Sequence, residues 1–152
     1  MKTNLSFFIL AVVMLSSCGE KEQPLDALID EQLNFAIEQY KGMHEVLPAD
    51  RLPRTTDMET GELITSGSGW WCSGFYPGSL WYLYEYSGDP ALKEMAMERT
   101  ALIEKEQYNK GTHDLGFMIN DSYGQGLRIA GIEDYVPVMV NGAYSLISRY
   151  ND

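Results

Sequence analysis

Residues 75–86, FYPGSLWYLYEY, form an almost unbroken apolar run that decides between a helical and a sheet interpretation of this chain. A strand is one alternative, because aromatic residues favour sheets. The residues that follow favour a helix: Gly88 fits the position just past a helix end, and Asp89-Pro90 fits the N-cap and first position of another helix. The run therefore predicts a helix buried on more than one side, followed directly by a second helix.

Apolar residues recur every three or four positions on both sides of this run. That spacing predicts four more helices, over residues 24–40, from 90 to about 108, from about 115 to 130, and from about 134 to 150. Residues 42–69 carry Pro48, Pro53 and several glycines, which predict a long irregular excursion. No segment clearly predicts a strand. The expected fold class is all-α, with about five helices arranged as antiparallel hairpins.

The composition narrows the classes of function. The 152 residues include 22 acidic and 11 basic side chains, for a net charge of −11, and no run of Lys or Arg. This charge argues against nucleic acid or an anionic membrane surface as a partner. His44 and His113 lie far apart and two cysteines cannot build a disulfide scaffold, so no metal site is predicted. Serine-hydrolase, dinucleotide, Walker and zinc-protease motifs are missing, so no cofactor is predicted.

The amino terminus has the pattern of a secretory signal. Lys2 precedes an apolar run from Phe7 to Leu15, which as a helix spans only about 14 Å, too short to cross a bilayer. A buried core helix is the alternative. Residues 15–18, LSSC, resemble the lipobox of bacterial lipoproteins. We expect a signal peptide over 1–17, lipidation of Cys18 and a tether over 18–24. Membrane contact would come only from the lipid. The expected location is the bacterial cell envelope, with the periplasm favoured over the cell surface.

An aromatic junction at residues 69–78, GWWCSGFYPG, is one candidate binding site. Trp70 and Trp71 would point in opposite directions on extended backbone, so at least one should face away from the core. An exposed indole suits stacking on a sugar ring, while two core tryptophans are the alternative. Cys72 has no base near it in sequence and is interpreted as a small buried residue.

An acidic junction at residues 112–117, THDLGF, is the second candidate. Asp114 would begin a helix, either as a capping carboxylate or as a catalytic one. His113 could orient a substrate or bond a backbone carbonyl. Asp121 would lie on the same face of an α-helix, roughly 10 Å further along, which is just beyond the range for a water-activating carboxylate pair.

Together these motifs resemble glycoside hydrolase family 88, the unsaturated glucuronyl hydrolases. The resemblance rests on four blocks in order: LPRT at 52–55, WWCSGFYPGSLWYLYEYSGD at 70–89, THDLGFMINDSYGQGLRIAG at 112–131, and the helix that follows. It implies an (α/α)6 barrel of twelve helices, of which this chain would supply about the first five. Residues 25–152 are then expected to be the N-terminal part of a barrel that this chain cannot close.

The resemblance also implies a reaction and its residues. Members remove an unsaturated (4,5-dehydro) uronic acid from oligosaccharides left by polysaccharide lyases, by hydrating the C4=C5 bond. Asp114 matches one of two essential aspartates, and the other is expected after residue 152, which predicts that this chain alone is inactive. Trp71 matches the aromatic platform for the uronate ring, and His113 neighbours the site. The alternatives are a non-catalytic glycan-binding helical lipoprotein and a rhamnogalacturonyl hydrolase acting on pectin fragments.

Overall fold

The computed structural model describes residues 24–150, so the predicted signal peptide and Cys18 lie outside the described residues. The contacts between residues divide the chain into two compact units, with the boundary after Gln32. In the first unit the described residues are Pro24 and the beginning of helix α1, with exposed side chains. The α-helices are α1 Leu25–Val46, α2 Phe75–Ser87, α3 Pro90–Ala101, α4 Gln125–Ala130 and α5 Val136–Ile147. The other elements are strands β1 Leu52–Thr56 and β2 Leu63–Ser66, a π-helix Gly116–Gly124, and 3₁₀ helices Glu104–Tyr108 and Glu133–Tyr135.

Helices occupy all five predicted segments, which confirms the helical fold class. The apolar run 75–86 is helical, as the residues after it predicted. Gly88 ends α2 in the left-handed conformation, at φ +69°, and its N–H donates to the Tyr84 carbonyl at 2.8 Å. Asp89 then caps α3 by accepting the Ala91 N–H at 2.9 Å, with Pro90 in the first turn. This short connection makes α2 and α3 a helical hairpin.

The prediction of an irregular segment over residues 42–69 is wrong in part, because α1 continues past its predicted end at residue 40 to Val46, and β1 and β2 then pair as an antiparallel hairpin. The Asp57 side chain closes the turn by accepting the N–H groups of Glu59 and Thr60 at 2.9 and 2.8 Å. Arg51, just before β1, connects that end of the hairpin to β2, because its guanidinium donates to the hydroxyl and the carbonyl of Thr65. Strands of five and four residues are too short for an alternating pattern to identify them, and Pro53 further masks β1.

Two predicted helices also differ in detail. The helix expected from 90 to about 108 ends at Ala101 and gives way to a 3₁₀ helix. The helix expected from 115 to 130 is a π-helix followed by the short α4. The wider i to i+5 bonding changes which side chains share a face, so the α-helical spacing used to relate Asp114 and Asp121 does not apply to this segment.

Helix α2 lies at the centre of the second unit. Leu80 and Trp81 are fully buried, as are Leu92 of α3 and Met118 of the π-helix. The Trp81 indole donates to the Thr100 hydroxyl at 3.2 Å, so its one polar atom is satisfied. Within residues 24–150, no helix has the combination of length and apolar character that a bilayer crossing requires.

A buried arginine fixes the segment that leads into the hairpin. Arg99 is 2% exposed, and its guanidinium donates to the carbonyls of Pro48 at 2.8 Å and Arg51 at 3.0 Å. Buried charge is costly unless it is hydrogen-bonded, and these carbonyls meet that need. Arg99 thereby anchors the start of β1 to α3.

Candidate active site

Three aromatic rings from the two sequence junctions meet in one cluster. Trp71 lies edge-on to Phe75 and Phe117, with ring centroids 5.6 and 6.2 Å apart. The rings of Phe75 and Phe117 lie 5.7 Å apart. All three side chains are 40 to 47% exposed, so the cluster presents an apolar surface to solvent. We call Trp71, Phe75 and Phe117 the aromatic cluster.

Two glycines, Gly74 just before α2 and Gly78 within it, allow the junctions to approach so closely. A Cβ on Gly74 would collide with the carbonyl oxygens of Phe117 and Met118. A Cβ on Gly78 would lie 2.5 Å from the Asp121 carbonyl oxygen. Since these neighbours are backbone atoms, side-chain rearrangement cannot relieve the overlap. The G-F-x-P-G motif is therefore explained by backbone contact between α2 and the π-helix.

Asp114 lies just before the π-helix, and its side chain is 21% exposed. Its Oδ2 accepts a hydrogen bond from the Thr112 hydroxyl at 2.8 Å, and that hydroxyl accepts the Asp114 N–H at 3.0 Å. No side-chain cap bond occurs at the start of the π-helix, so the capping interpretation of Asp114 is not supported. The carboxylate is held from one side and remains partly open to solvent.

His113 is 84% exposed, and its Nε2 lies 3.4 Å from Asp114 Oδ1. The imidazole of His113 therefore lies beside the carboxylate of Asp114, the next residue in the chain. No hydrogen bond from the imidazole to a backbone carbonyl is recorded within residues 24–150. Of the two interpretations of His113, this position favours the one in which the ring is available to a ligand.

The two adjacent tryptophans are both exposed, Trp70 by 36% and Trp71 by 44%. The core interpretation therefore fails for both. The expectation of extended backbone is also wrong, because Trp70 lies in a turn in which the Ser73 N–H donates to the Trp70 carbonyl at 2.9 Å. Trp71 joins the aromatic cluster, while Trp70 lies under the Arg54 guanidinium, 4.0 Å from the ring centroid.

A buried carboxylate that sequence reasoning missed secures this turn. Glu106 is 6% exposed, and it accepts the Ser68 hydroxyl at 2.6 Å and the Asn109 amide at 2.9 Å. These bonds attach the segment before Trp70 to the 3₁₀ helix. No sequence pattern linked Ser68 with a residue 38 positions later, so only the folded chain reveals the contact.

Asp121 and Cys72 have different surroundings from Asp114. Asp121 is partly buried, and desolvation raises the pKa of its carboxyl, with a smaller opposing effect from a hydrogen bond to Asn120. Its backbone packs against Gly78 of α2. Cys72 is a free, half-buried thiol.

Within residues 24–150, no group of three or more His, Cys, Asp or Glu side chains could hold a metal ion.

No family model matches the chain. Individual proteins do match it, and two of them are named as hydrolases of unsaturated saccharides. An unsaturated glucuronyl hydrolase of Formosa agariphila is 38% identical over 105 residues, which are 68% of this chain and 26% of that protein. An unsaturated chondroitin disaccharide hydrolase of Streptococcus pneumoniae is 34% identical over 86 residues, or 54% of this chain and 22% of that protein.

Solved structures extend the likeness to the fold. The crystal structure of an unsaturated glucuronyl hydrolase specific for heparin matches with a TM-score of 0.79 and 35% identity, over 84% of this chain and 34% of that one. A Streptococcus agalactiae unsaturated glucuronyl hydrolase variant complexed with dGlcA-GalNAc6S matches with a TM-score of 0.69 and 25% identity, over 80% of this chain and 33% of that one.

The chain spans about a quarter of the length of the curated relatives and about a third of the solved ones. Within that span it is homologous to the unsaturated glucuronyl hydrolases, which are glycoside hydrolases with an (α/α) barrel. The resemblance to family 88 inferred from the sequence motifs is confirmed, and the chain represents part of that barrel.

Proposed function

From this homology to the unsaturated glucuronyl hydrolases, we propose that the chain is part of a hydrolase acting on lyase-generated glycosaminoglycan oligosaccharides. The enzyme removes the terminal unsaturated (4,5-dehydro) uronic acid. The observation that carries the proposal is the meeting of the two sequence junctions, because it brings the exposed aromatic cluster and the junction that carries the Asp114 carboxylate to one face. Relatives named for chondroitin and heparin substrates support glycosaminoglycans over pectin fragments.

The cluster suits the substrate because the unsaturated ring is flattened around C4=C5 and has an apolar face. Trp71, Phe75 and Phe117 offer an apolar surface of matching kind. The C4=C5 bond is an enol ether, since C5 carries the ring oxygen. Protonation at C4 leaves positive charge shared between C5 and that oxygen, and water then adds to C5 while losing a proton. The resulting hemiketal opens and releases the next sugar.

Asp114 supplies a fixed negative charge where the positive charge develops at C5. The Thr112 hydroxyl donates to Oδ2, while Oδ1 faces His113 and solvent, so one oxygen stays available to substrate or water. A positioned carboxylate of this kind typically contributes about 10² to 10⁴ in rate. Hydration also needs a second carboxyl group to protonate C4, and we expect it outside this chain, so the chain alone would bind without turning over.

The deciding experiment follows the loss of absorbance at roughly 230 nm, where a conjugated enol-ether carboxylate absorbs, during incubation with unsaturated chondroitin and heparin disaccharides. It compares the 152-residue chain with any longer form that its gene encodes. We expect turnover in the longer form and none in the chain alone. Turnover by the chain alone would show that a described carboxyl, Asp121 first, supplies the proton. If neither form turned the substrate over, the proposed hydrolase function would be refuted.

A glycan-binding protein without catalysis is the second candidate, and the exposed aromatic cluster alone would favour it. Saturable binding of unsaturated disaccharides with no absorbance loss in any form would select this alternative. The two candidates therefore separate in the same assay.

We also propose lipidation of Cys18 and a place in the bacterial envelope, supported by the LSSC sequence that precedes the tether. Cys18→Ala should move the protein from the membrane fraction to the soluble fraction and abolish incorporation of labelled palmitate. Equal membrane association in the variant would contradict the anchor.

A further inference from the structure

Glu106 is a buried acidic side chain that no step of the proposed reaction uses. It is 6% exposed, and in the part of the chain that the structure describes no Lys, Arg or His side chain pairs with it. Burying a charged group is costly unless hydrogen bonds compensate for it, and each Glu106 oxygen accepts a hydrogen bond from a neutral side chain. These two bonds lead to different parts of the fold.

One bond of Glu106 leads to the aromatic junction. Its Oε1 accepts the Ser68 hydroxyl at 2.6 Å, and both side chains are buried. The turn that carries Trp71 follows directly, because the Trp70 N–H donates to the carbonyl just before Ser68 at 3.3 Å and the Ser73 N–H donates to the Trp70 carbonyl at 2.9 Å. Fixing Ser68 therefore restrains the backbone from which the Trp71 indole enters the aromatic cluster.

The other bond of Glu106 leads to the acidic junction. Its Oε2 accepts the Asn109 side-chain amide at 2.9 Å, and the oxygen of that amide accepts the Gly111 N–H at 2.8 Å. A carboxylate only accepts hydrogen bonds and a backbone N–H only donates, so these partners fix which end of the Asn109 amide faces each of them. Gly111 is followed directly by Thr112, whose hydroxyl holds the Asp114 carboxylate.

We propose that Glu106 is a positioning residue that fixes the aromatic cluster and the proposed catalytic carboxylate relative to each other. Ser68 transmits this restraint to Trp71, and Asn109 transmits it to Asp114. The inference rests on the proposed function, because it assigns Glu106 a role in how these two groups meet one substrate. Reacting groups must be held close to their productive geometry, so a small displacement of either group is costly.

The experiment cuts each connection separately in the form that hydrates the substrate. Ser68→Ala should raise KM about 3- to 10-fold, the scale of one aromatic contact, with kcat nearly unchanged. Asn109→Ala should lower kcat by up to about a hundredfold, the scale of a misplaced reacting group, with KM nearly unchanged. Initial rates of absorbance loss at roughly 230 nm give both constants. Titration calorimetry of the 152-residue chain measures the effect of Ser68→Ala on affinity independently of turnover.

Substitutions in the 3₁₀ helix separate positioning from stability. Glu106→Leu removes both hydrogen bonds and should combine the two effects. Glu106→Gln keeps an oxygen for the Asn109 amide and gains an amide that can donate to the Ser68 hydroxyl, so its constants should stay close to those of the wild type. The matched control is Gln107→Leu, because Gln107 is 5% exposed and bonds Asn141 of α5 at 2.8 Å. It should lower the melting temperature and leave KM and kcat unchanged.

The outcomes distinguish the positioning role from the proposed function. If the wild type hydrates the substrate and neither Ser68→Ala nor Asn109→Ala changes its constants, the positioning role is overturned and the hydrolase stands. Equal kinetic losses in Gln107→Leu would also overturn the role, because they would follow from lost stability alone. A loss in Glu106→Gln as large as in Glu106→Leu would overturn it too, since both hydrogen bonds can be kept by glutamine. If no form of the wild type hydrates the substrate, the proposed function and the positioning role both fail.

Discussion

The Thr112 hydroxyl makes two hydrogen bonds to one residue: it donates to Asp114 Oδ2 at 2.8 Å and accepts the Asp114 N–H at 3.0 Å. The carboxylate is thereby held against its own backbone, at the point where the chain enters the π-helix. This arrangement makes Thr112 a positioning residue for the proposed catalytic group.

Replacing Thr112 by valine removes both bonds at nearly constant volume. We expect turnover to fall about 10- to 100-fold in the form that hydrates the substrate, with little change in KM, because a lost hydrogen bond to a charged group costs about 1.5–3 kcal/mol. Thr112→Ser keeps the hydroxyl and should restore most of the rate. Equal losses in both variants would show that the methyl group and not the hydroxyl matters.

Asp114→Asn removes the negative charge and keeps an oxygen that can accept the Thr112 hydroxyl. Turnover should fall at least about a hundredfold, the scale of a positioned acid or base. The melting temperature should stay within a few degrees of the wild type, because Asp114 is not in the core. Near-normal turnover would remove Asp114 from the site.

Trp71→Ala should weaken disaccharide binding more than it weakens folding, because the indole is 44% exposed. The matched control is Trp81→Ala, which removes a fully buried indole and should cost about 3–5 kcal/mol of unfolding free energy. Calorimetric binding and urea unfolding measure the two effects. If Trp71→Ala unfolds as readily as the control, Trp71 is structural and the platform hypothesis fails.

Gly74→Ala should destabilise the protein by about 1–3 kcal/mol or more, because its Cβ overlaps backbone oxygens of the π-helix. The control is Gly42→Ala in α1, where no atom outside the helix's own neighbouring backbone lies within 4 Å of the added Cβ. That change should stabilise the chain by about 0.5–1 kcal/mol through helix propensity. Urea unfolding distinguishes the two, and equal stability would mean that α2 and the π-helix can separate without cost.

Burial raises the pKa of Tyr76 to about 12, and its hydroxyl donates to the Tyr40 carbonyl at 3.2 Å. In the unfolded chain a tyrosine ionises near pH 10. The unfolded state therefore loses its proton first, so stability is fully present below about pH 10 and is lost as the pH rises through the folded value.

Urea midpoints at about pH 9 and pH 11 test this expectation, and the wild-type midpoint should be lower at the higher pH. Tyr76→Phe should reduce the fall without abolishing it, since burial also raises the pKa of Tyr123 and Tyr135. An unchanged fall in the variant would assign the effect to the other two tyrosines.

Local sequence was sufficient for much of the helical framework. Gly88, Asp89 and Pro90 act within a few residues of their own backbone, so the end of α2 and the start of α3 could be predicted directly. The same applies to the two junctions, since Trp71 and Asp114 stand in recognisable motifs. Their roles in binding and catalysis remain predictions.

Other features required the tertiary structure because their causes are distant in sequence. The hairpin depends on Arg51 reaching Thr65, and the Trp70 turn depends on Glu106 reaching Ser68. The π-helix and the meeting of Phe75 with Phe117 arise where α2 packs without side chains at Gly74.

The sequence by itself therefore determined the order of the helices and the residue types that carry chemistry, because helix caps and motifs act over short distances. Tertiary packing decided which of those residues share a surface. It joined Trp71 to Phe117 and placed Arg54 on Trp70, and it formed a π-helix over Gly116–Gly124, to which the α-helical spacing assumed for Asp121 does not apply. The physical reason is that close backbone contact and buried hydrogen bonds form only between segments that folding brings together.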